Sequence, residues 1–338
     1  MSEYNEIVKL AVDTWHGKTE KYSKGESLDV LRKALIEANN GSTKIDYRAI
    51  RDGKCNGVFA IVEEILKVTV AEGLQGDEFF NGLVDFRNLP LGDKNEFEVE
   101  DKTLFVVSEA ADGTQGIRRQ RLSGSTKVSI ETTTKAIKIY EELNRVLSGQ
   151  SDFNQFIAKV GKSFEQKILN DIYSLWSTAS ADELGGTYYY ETGGSYSETA
   201  LLDMIAHVEA AAGGAPATIL GTAKALRNLA PSVQGVDSKN DLYNIGYYGS
   251  FYGTPTVKLP QRHAIGTTNF VFDDNTLTVI AGDDKPIKFV YEGDPLIIPG
   301  ALFGNADLTQ TYQYNEKYGL GLVLAGGNAG VGKYEITA

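Results

Sequence analysis

The sequence predicts an α+β protein with more than one compact unit, and three observations lead there. Apolar and charged residues alternate through 96–100 and 127–131. A single stripe of apolar residues at steps of three and four runs through 151–179, and helical and strand patterns intermix from 186 to 294. The chain has 338 residues, above the usual size of one domain.

Residues 1–75 read as an N-terminal helical arm, its segments separated by polar joints. Leu28, Leu31, Leu35 and Ile36 keep helical spacing after Ser27, and Asn39-Asn40-Gly41 ends that helix. Ile61, Val62, Ile65 and Leu66 make a second stripe, although Val68-Thr69-Val70 favours a strand. Residues 76–94 are a link. Phe97 and Val99 then alternate with Glu96, Glu98 and Glu100, and Val128 and Ile130 with Lys127, Ser129 and Glu131. Between them lie the turn formers Asp112-Gly113 and Gly116, followed by Arg118, Arg119 and Arg121. The pattern predicts a long β-hairpin with a polar tip, an extended loop over 95–125. An isolated two-stranded ribbon is marginal in water, so a neighbouring subunit is its expected support.

The unit at 126–185 is organised by the helix at 151–179, with Ser151 or Asp152 as N-cap. About 26 residues rising ~1.5 Å each give a helix of ~39 Å. A stripe of that length is expected to lie along a sheet, with Phe156, Val160, Phe164 and Ile168 as its packing residues. A separate α+β unit follows at 186–294. It opens on a glycine- and tyrosine-rich loop, and Ser195 and Glu198 have the spacing of a capping box ahead of a helix. A strand at 218–220 and a helix at 223–229, ended by Pro231, come next. Further strands are expected around 254–259, 270–272, 276–280 and 287–291. Residues 295–338 are expected to return to the sheet under the long helix and end in strands.

Composition narrows the function. The formal net charge of -12 disfavours tight sequence-independent binding to nucleic acid, but does not exclude a container that holds nucleic acid, whose inner wall does better not to bind it strongly. The N-terminal stretch lacks the basic start and apolar core of a signal peptide, and no apolar run approaches the ~20 residues that cross a bilayer. One cysteine, Cys55, precludes an internal disulfide and reads as a buried or idle thiol. His16, His207 and His263 have no metal-ligand spacing, and no G-x-S-x-G is present, so no catalytic, cofactor or metal residues are assigned.

One stretch imitates a nucleotide site. Residues 327–334, GNAGVGKY, read as G-x-x-x-x-G-K. Tyr334 stands where a Ser or Thr must hold Mg²⁺, and the four residues that follow are too few to form the helix whose amides face the phosphates. Gly161-Lys162-Ser163 lacks the leading glycine, having Phe156 in its place. Lys333 is therefore expected to have no nucleotide role, and the glycines to form a turn before a terminal strand.

The order of these elements resembles the major capsid protein of tailed bacteriophages, the Hong Kong phage fold. LPLGDKNEF with LFVVSEAADGTQGIRRQRL is similar to that family's extended loop and its approach, and TTKAIKIYEELNRVLSG with FIAKVGKSFEQKILNDIY to the strand and spine helix of its peripheral domain. TILGTAKALRNLA with YGSFYGTPTVKLPQ resembles the axial domain, and FVYEGDPLIIPG the return into the peripheral domain. The resemblance covers 75–338. It implies a structural protein, not an enzyme, whose pentamers and hexamers close into an icosahedral shell around double-stranded DNA. Arg118, Arg119 and Arg121 would meet a neighbour. It also implies a portal and, in some members, scaffold or decoration proteins, with assembly in the host bacterial cytoplasm and a final place in the virion, without a cofactor or a membrane. Lys102, Asn144 and Glu109 carry no motif that would assign them to the subunit cross-link some members make, so no cross-link is expected. Two alternatives stand beside this reading: an encapsulin-type shell around cargo enzyme, and a soluble carbohydrate-binding protein suggested by the tyrosine-rich loop.

Overall fold

The computed structural model describes residues 7–11, 13, 24–43, 47–99, 105–109, 111–113, 116–117, 119–121, 126–140, 153–229, 236–283, 285–300, 311–323 and 330–336. After a helical stretch at 7–11, whose Val8 and Ala11 join the main core, come α1 (Lys24–Ala38), α2 (Tyr47–Arg51), α3 (Asn56–Gln75) and α4 (Glu78–Leu83). Strands β1 (Val84–Leu89), β2 (Glu96–Val99), β3 (Thr126–Ser129) and β4 (Thr133–Tyr140) lead to the long helix α5 (Phe153–Ser177). Then come β5 (Tyr190–Gly194), α6 (Glu198–Ala211), β6 (Ala217–Thr222), α7 (Ala223–Arg227) and α8 (Val236–Asn244). The remaining strands are β7 (Ser250–Phe251), β8 (Thr254–Leu259), β9 (Thr276–Ala281), β10 (Ile287–Glu292), β11 (Leu296–Pro299), β12 (Thr311–Leu322) and β13 (Val331–Ile336).

They form two large sheets and a ribbon. One sheet runs β1-β10-β12-β11, with β4 on the opposite edge of β12. The other runs β5-β13-β9-β6-β8-β7, and β2 pairs with β3 alone. Two expectations are corrected here. Strand β10, inside the 186–294 bounds although FVYEGDPLIIPG resembles the return into the peripheral domain, belongs to the first sheet beside β12, as that resemblance implies. The terminal strand β13, expected to return there, instead lies between β5 and β9 in the second sheet. Both follow from burial: Phe289 and Tyr291 of β10 join the core under α5, whereas Tyr334 and Ile336 of β13 join the core around α6.

The helical arm is also corrected. Helix α3 runs unbroken through Val68-Thr69-Val70, because Val70 packs inward with Ile61, Val62, Ile65 and Leu66 on a wide apolar face, and tertiary burial overrides strand propensity. Leu31, Leu35 and that face share one core with Phe164 and Tyr314, so 24–75 is part of the main body. Helices α3 and α5 approach closely because Gly161 faces Thr69, whose Cγ2 would lie 3.1 Å from a Cβ at 161. The glycine of the discarded phosphate motif is a packing residue. Asn40 (φ 54°) and Gly41 (φ 79°) end α1 as anticipated, with Gly41 N–H donating to Ile36 O.

Helix α5 touches both sheets. On the first, Phe164 meets the Tyr314 ring edge-on at 5.0 Å and Tyr318 Oη donates to Asp171 Oδ2 (2.8 Å). Near the helix C-terminus, Trp176 Nε1 donates to Thr278 Oγ1 of β9 (3.0 Å) and Tyr173 Oη accepts from Asp273 N (2.6 Å). Lys333, only 1% exposed, donates from Nζ to Ser177 O (2.6 Å) and pairs with Glu335 Oε1 (2.7 Å). A cation there satisfies a last-turn carbonyl and the negative end of the helix dipole. Burial pushes the Glu335 carboxyl up, but hydrogen bonds from Lys333 and Thr192 outweigh it and hold it below the usual range. Arg262 adds another tie, reaching buried Asp77 (2.8 Å), which caps α4, and Glu165 of α5 (3.4 Å).

Smaller departures have local causes. Ser197, not Ser195, caps α6, because Tyr334 Oη accepts from Ser197 N and fixes its backbone; Glu198 instead accepts from Tyr252 Oη. No strand forms at 270–272, where Phe270 makes a single bridge to His263. Ser151, Asp152 and Pro231 lie outside the described residues.

Strand β12 alternates Tyr312, Tyr314, Glu316 and Tyr318 toward the core. Burial raises the Glu316 carboxyl to about 7, although Tyr314 Oη donates to it (2.6 Å) and Tyr291 stands beside it. Between the ordinary value of 4.5 and about 7, the folded chain keeps a proton on Glu316 that the unfolded chain has released. Its share of stability is therefore complete at low pH and lost as pH rises through that window, by up to about 3 kcal/mol. Urea unfolding of wild type and Glu316→Gln at about pH 5 and about pH 8 should show the variant gaining relative stability at the higher pH; a constant difference would remove this assignment.

Candidate assembly interface

The ribbon of β2 and β3 pairs with neither large sheet, and its root is built tightly. Strands β2 and β3 pair as expected, Phe97 opposite Val128. Phe97, Ile130 and Val290 form a small separate core with Leu89 against it. The Arg87 guanidinium lies 4.1 Å over the Phe97 ring, and Lys127 pairs with Glu96 (3.1 Å) on the exposed side. The seat for Ile130 is written in Tyr318-Gly319-Leu320-Gly321 of β12. Tyr318 and Leu320 face the main core, opposite Tyr291 and Phe289. Gly319 and Gly321 face the other way: a Cβ at 319 would collide with the Glu131 backbone and Ile130, and one at 321 would meet Ile130 Cδ1 at 3.2 Å.

Beyond the root, the described apolar side chains are largely exposed. Phe105, Val106 and Val107 are 53%, 64% and 94% exposed, and Ile117 on the returning arm is 52% exposed. Val106 N donates to Gln120 Oε1 (2.8 Å) and Gln120 Nε2 donates to Val106 O (2.7 Å), so a side-chain amide substitutes for a strand partner. Arg119 and Arg121 are exposed on this arm; Arg118 lies outside the described residues. The apolar run at 105–107 was missed from sequence, where the arginines drew attention, although LFVV at 104–107 was a visible signal.

The other expected positions divide similarly. Val160, Phe164 and Ile168 are buried in the core under α5, and Phe156 belongs to α5 although its side chain is outside the described residues. Cys55 is a buried free thiol. His207 lies against Tyr188 with its ring tilted by 31° and His263 stacks on Phe270, while His16, Lys102 and Asn144 lie outside the described residues. Among the described residues there is no cluster of His, Cys, Asp and Glu able to hold a metal, and no helix long and apolar enough to cross a membrane.

Valine at Gly319 should force the hairpin root off its seat, at a cost of about 1–3 kcal/mol for overpacking. A lowered urea midpoint together with faster tryptic cleavage at Lys127 is the expected result; an unchanged midpoint would contradict this role for the glycine pair.

Comparison with known proteins identifies the family. The model of a family described as "SPbeta prophage-derived putative capsid protein YonB" matches residues 9–330. No curated protein sequence matches the chain. Among solved structures, the capsid of Cyanophage P-SCSP1u is similar at 13% identity, covering 78% of this chain and 88% of that one, with a TM-score of 0.47. The mature capsid of bacteriophage PhiM1 matches at 12% identity, 77% and 87% coverage and a TM-score of 0.48. A virus-like particle from Pyrococcus furiosus matches at 14% identity, 80% and 98% coverage and a TM-score of 0.43. With its family model matched over nearly the whole length, the chain belongs to this family of prophage-derived capsid proteins.

Proposed function

We propose that this chain is the major capsid protein of a tailed phage or prophage, assembling through pentamers and hexamers into an icosahedral shell around double-stranded DNA. The observation that carries the reading, beside family membership, is the hairpin: a tightly seated root and an end whose apolar and basic side chains find no cover in their own subunit. Covering them requires another copy, and heterologous contacts of this kind close into rings. A net charge of -12 suits a wall that encloses DNA without binding it tightly. The role is structural, not enzymatic. Assembly belongs in the host bacterial cytoplasm, the finished protein in the virion, with a portal and scaffold or decoration proteins as its other partners.

On this reading Arg119 and Arg121, with Arg118, meet acidic groups of a neighbour, and their exchange for Glu should impair assembly while leaving the monomer folded. Purified wild-type chain should give shells, rings or tubes by negative-stain microscopy. Trypsin should cut after Arg119 and Arg121 in dissociated subunits and be excluded in shells. Equal cleavage in both states, with normal shells from the triple Arg→Glu variant, would remove the arginines from the interface.

A further inference from the structure

Strand β12 carries different groups on its two faces. Toward the core stands Glu316, only 2% exposed. Outward stand Lys317, Gly319 and Gly321, which position the hairpin root. Lys317 pairs with Glu292 (2.8 Å), Glu292 accepts from Thr132 Oγ1, and the two glycines seat Ile130. That seat has no slack, since a Cβ at 319 would collide with the Glu131 backbone. A displacement of β12 at 316 is therefore passed on to 130–132, because close-packed groups transmit strain.

The groups around Glu316 come from every element packed on it. Tyr314 Oη donates to its carboxyl (2.6 Å), and Tyr291 of β10 stands beside it. Helix α3 brings Glu63, within reach of Tyr314, whose Oε1 accepts from Ile297 N (2.5 Å). It also brings Lys67, paired with Asp294 (2.7 Å), and Asp294 in turn acts on Tyr291. Helix α5 brings Asp171, which accepts from Tyr318 Oη and pairs with Lys167 (2.5 Å). Strand β4 brings Lys135, directly opposite Glu316 in the ladder, with Nζ 5.7 Å over the Tyr318 ring. A neutral Glu316 fits this setting and a charged one does not. Its charge would repel Glu63 and Asp294, which tie α3 to the segment at 294–297, and would draw Lys135 across the ladder. Both effects move β12. We propose that Glu316 is a proton-operated switch for the hairpin, its ionisation shifting β12 and loosening the seat of Ile130 on Gly319 and Gly321. Burial lifts this carboxyl to about 7, so the switch turns in the neutral range, with the root held below it and released above. The device belongs to the single subunit and is independent of the capsid reading.

Limited proteolysis of dissociated subunits tests it. Tryptic cleavage after Lys127, at the root, is measured relative to cleavage after the exposed Arg121 of the same chain, which corrects for the protease's own pH dependence. In wild type this ratio should rise by up to about tenfold between about pH 6 and about pH 8, following the ionised fraction of Glu316. Glu316→Gln keeps the shape without the charge and should hold the ratio at its low-pH value throughout. An equal rise in the variant, or a flat ratio in wild type, would overturn the switch. Should the variant fail to fold, NMR on wild-type subunits decides. The amide signals of Gly319 and Ile130 should titrate with the same midpoint as the Glu316 carboxyl carbon. A different midpoint, or root signals that do not titrate, would overturn the coupling.

Discussion

Helix α5 spans 25 residues, ~37 Å of helix, and its apolar side chains from Val160 to Trp176 are covered by two sheets in turn. Its middle lies on the tyrosines of β12 and on α3, and its C-terminal end reaches β9 and β13. The contacts at that end are polar and specific. Trp176 needs an acceptor for its buried indole N–H, and Thr278 is that acceptor. Lys333 is buried only because Ser177 O and Glu335 satisfy its charge. These bonds fix the angle between the sheets, which apolar packing alone would leave free to slide. Arg262 repeats the device farther up α5, joining a loop of the second sheet to Asp77 and Glu165.

A fixed angle matters for a shell subunit, because an error between its two halves is passed to every neighbour. The hairpin shows the complementary economy. Its root is as tightly packed as a core, with Ile130 seated against two glycines, while the described apolar residues farther out, 105–107 and Ile117, are half or more exposed.

Much of this was legible in the sequence, for reasons that differ by element. The ribbon and α5 announced themselves by strict period-two and period-three-to-four patterns, which read the same whatever surrounds them. Strand β12 was only implied, because its buried stripe is tyrosine and glutamate, residues that resemble a solvated face until α3 and α5 cover them. The sheet membership of β13 was hidden for a different reason: which core this strand enters is set by contacts distant in sequence. Lys333 illustrates the same limit. The absence of a following hydroxyl and helix removed a nucleotide from consideration, but its bond to Ser177, 156 residues away, left no mark nearby. In the hairpin the arginines were conspicuous as charge, whereas the apolar run at 105–107 was not singled out.

The central claim is that α5 and its end contacts make the two sheets one cooperative body. Native-state hydrogen exchange on dissociated subunits tests it most directly. Amides in the C-terminal half of α5, in β12 and in β9 should open together with one free energy and one denaturant dependence. Lys333→Met should lower that shared value and split the two sheets into separate openings. Independent exchange of β9 and β12 in the wild type would contradict the account.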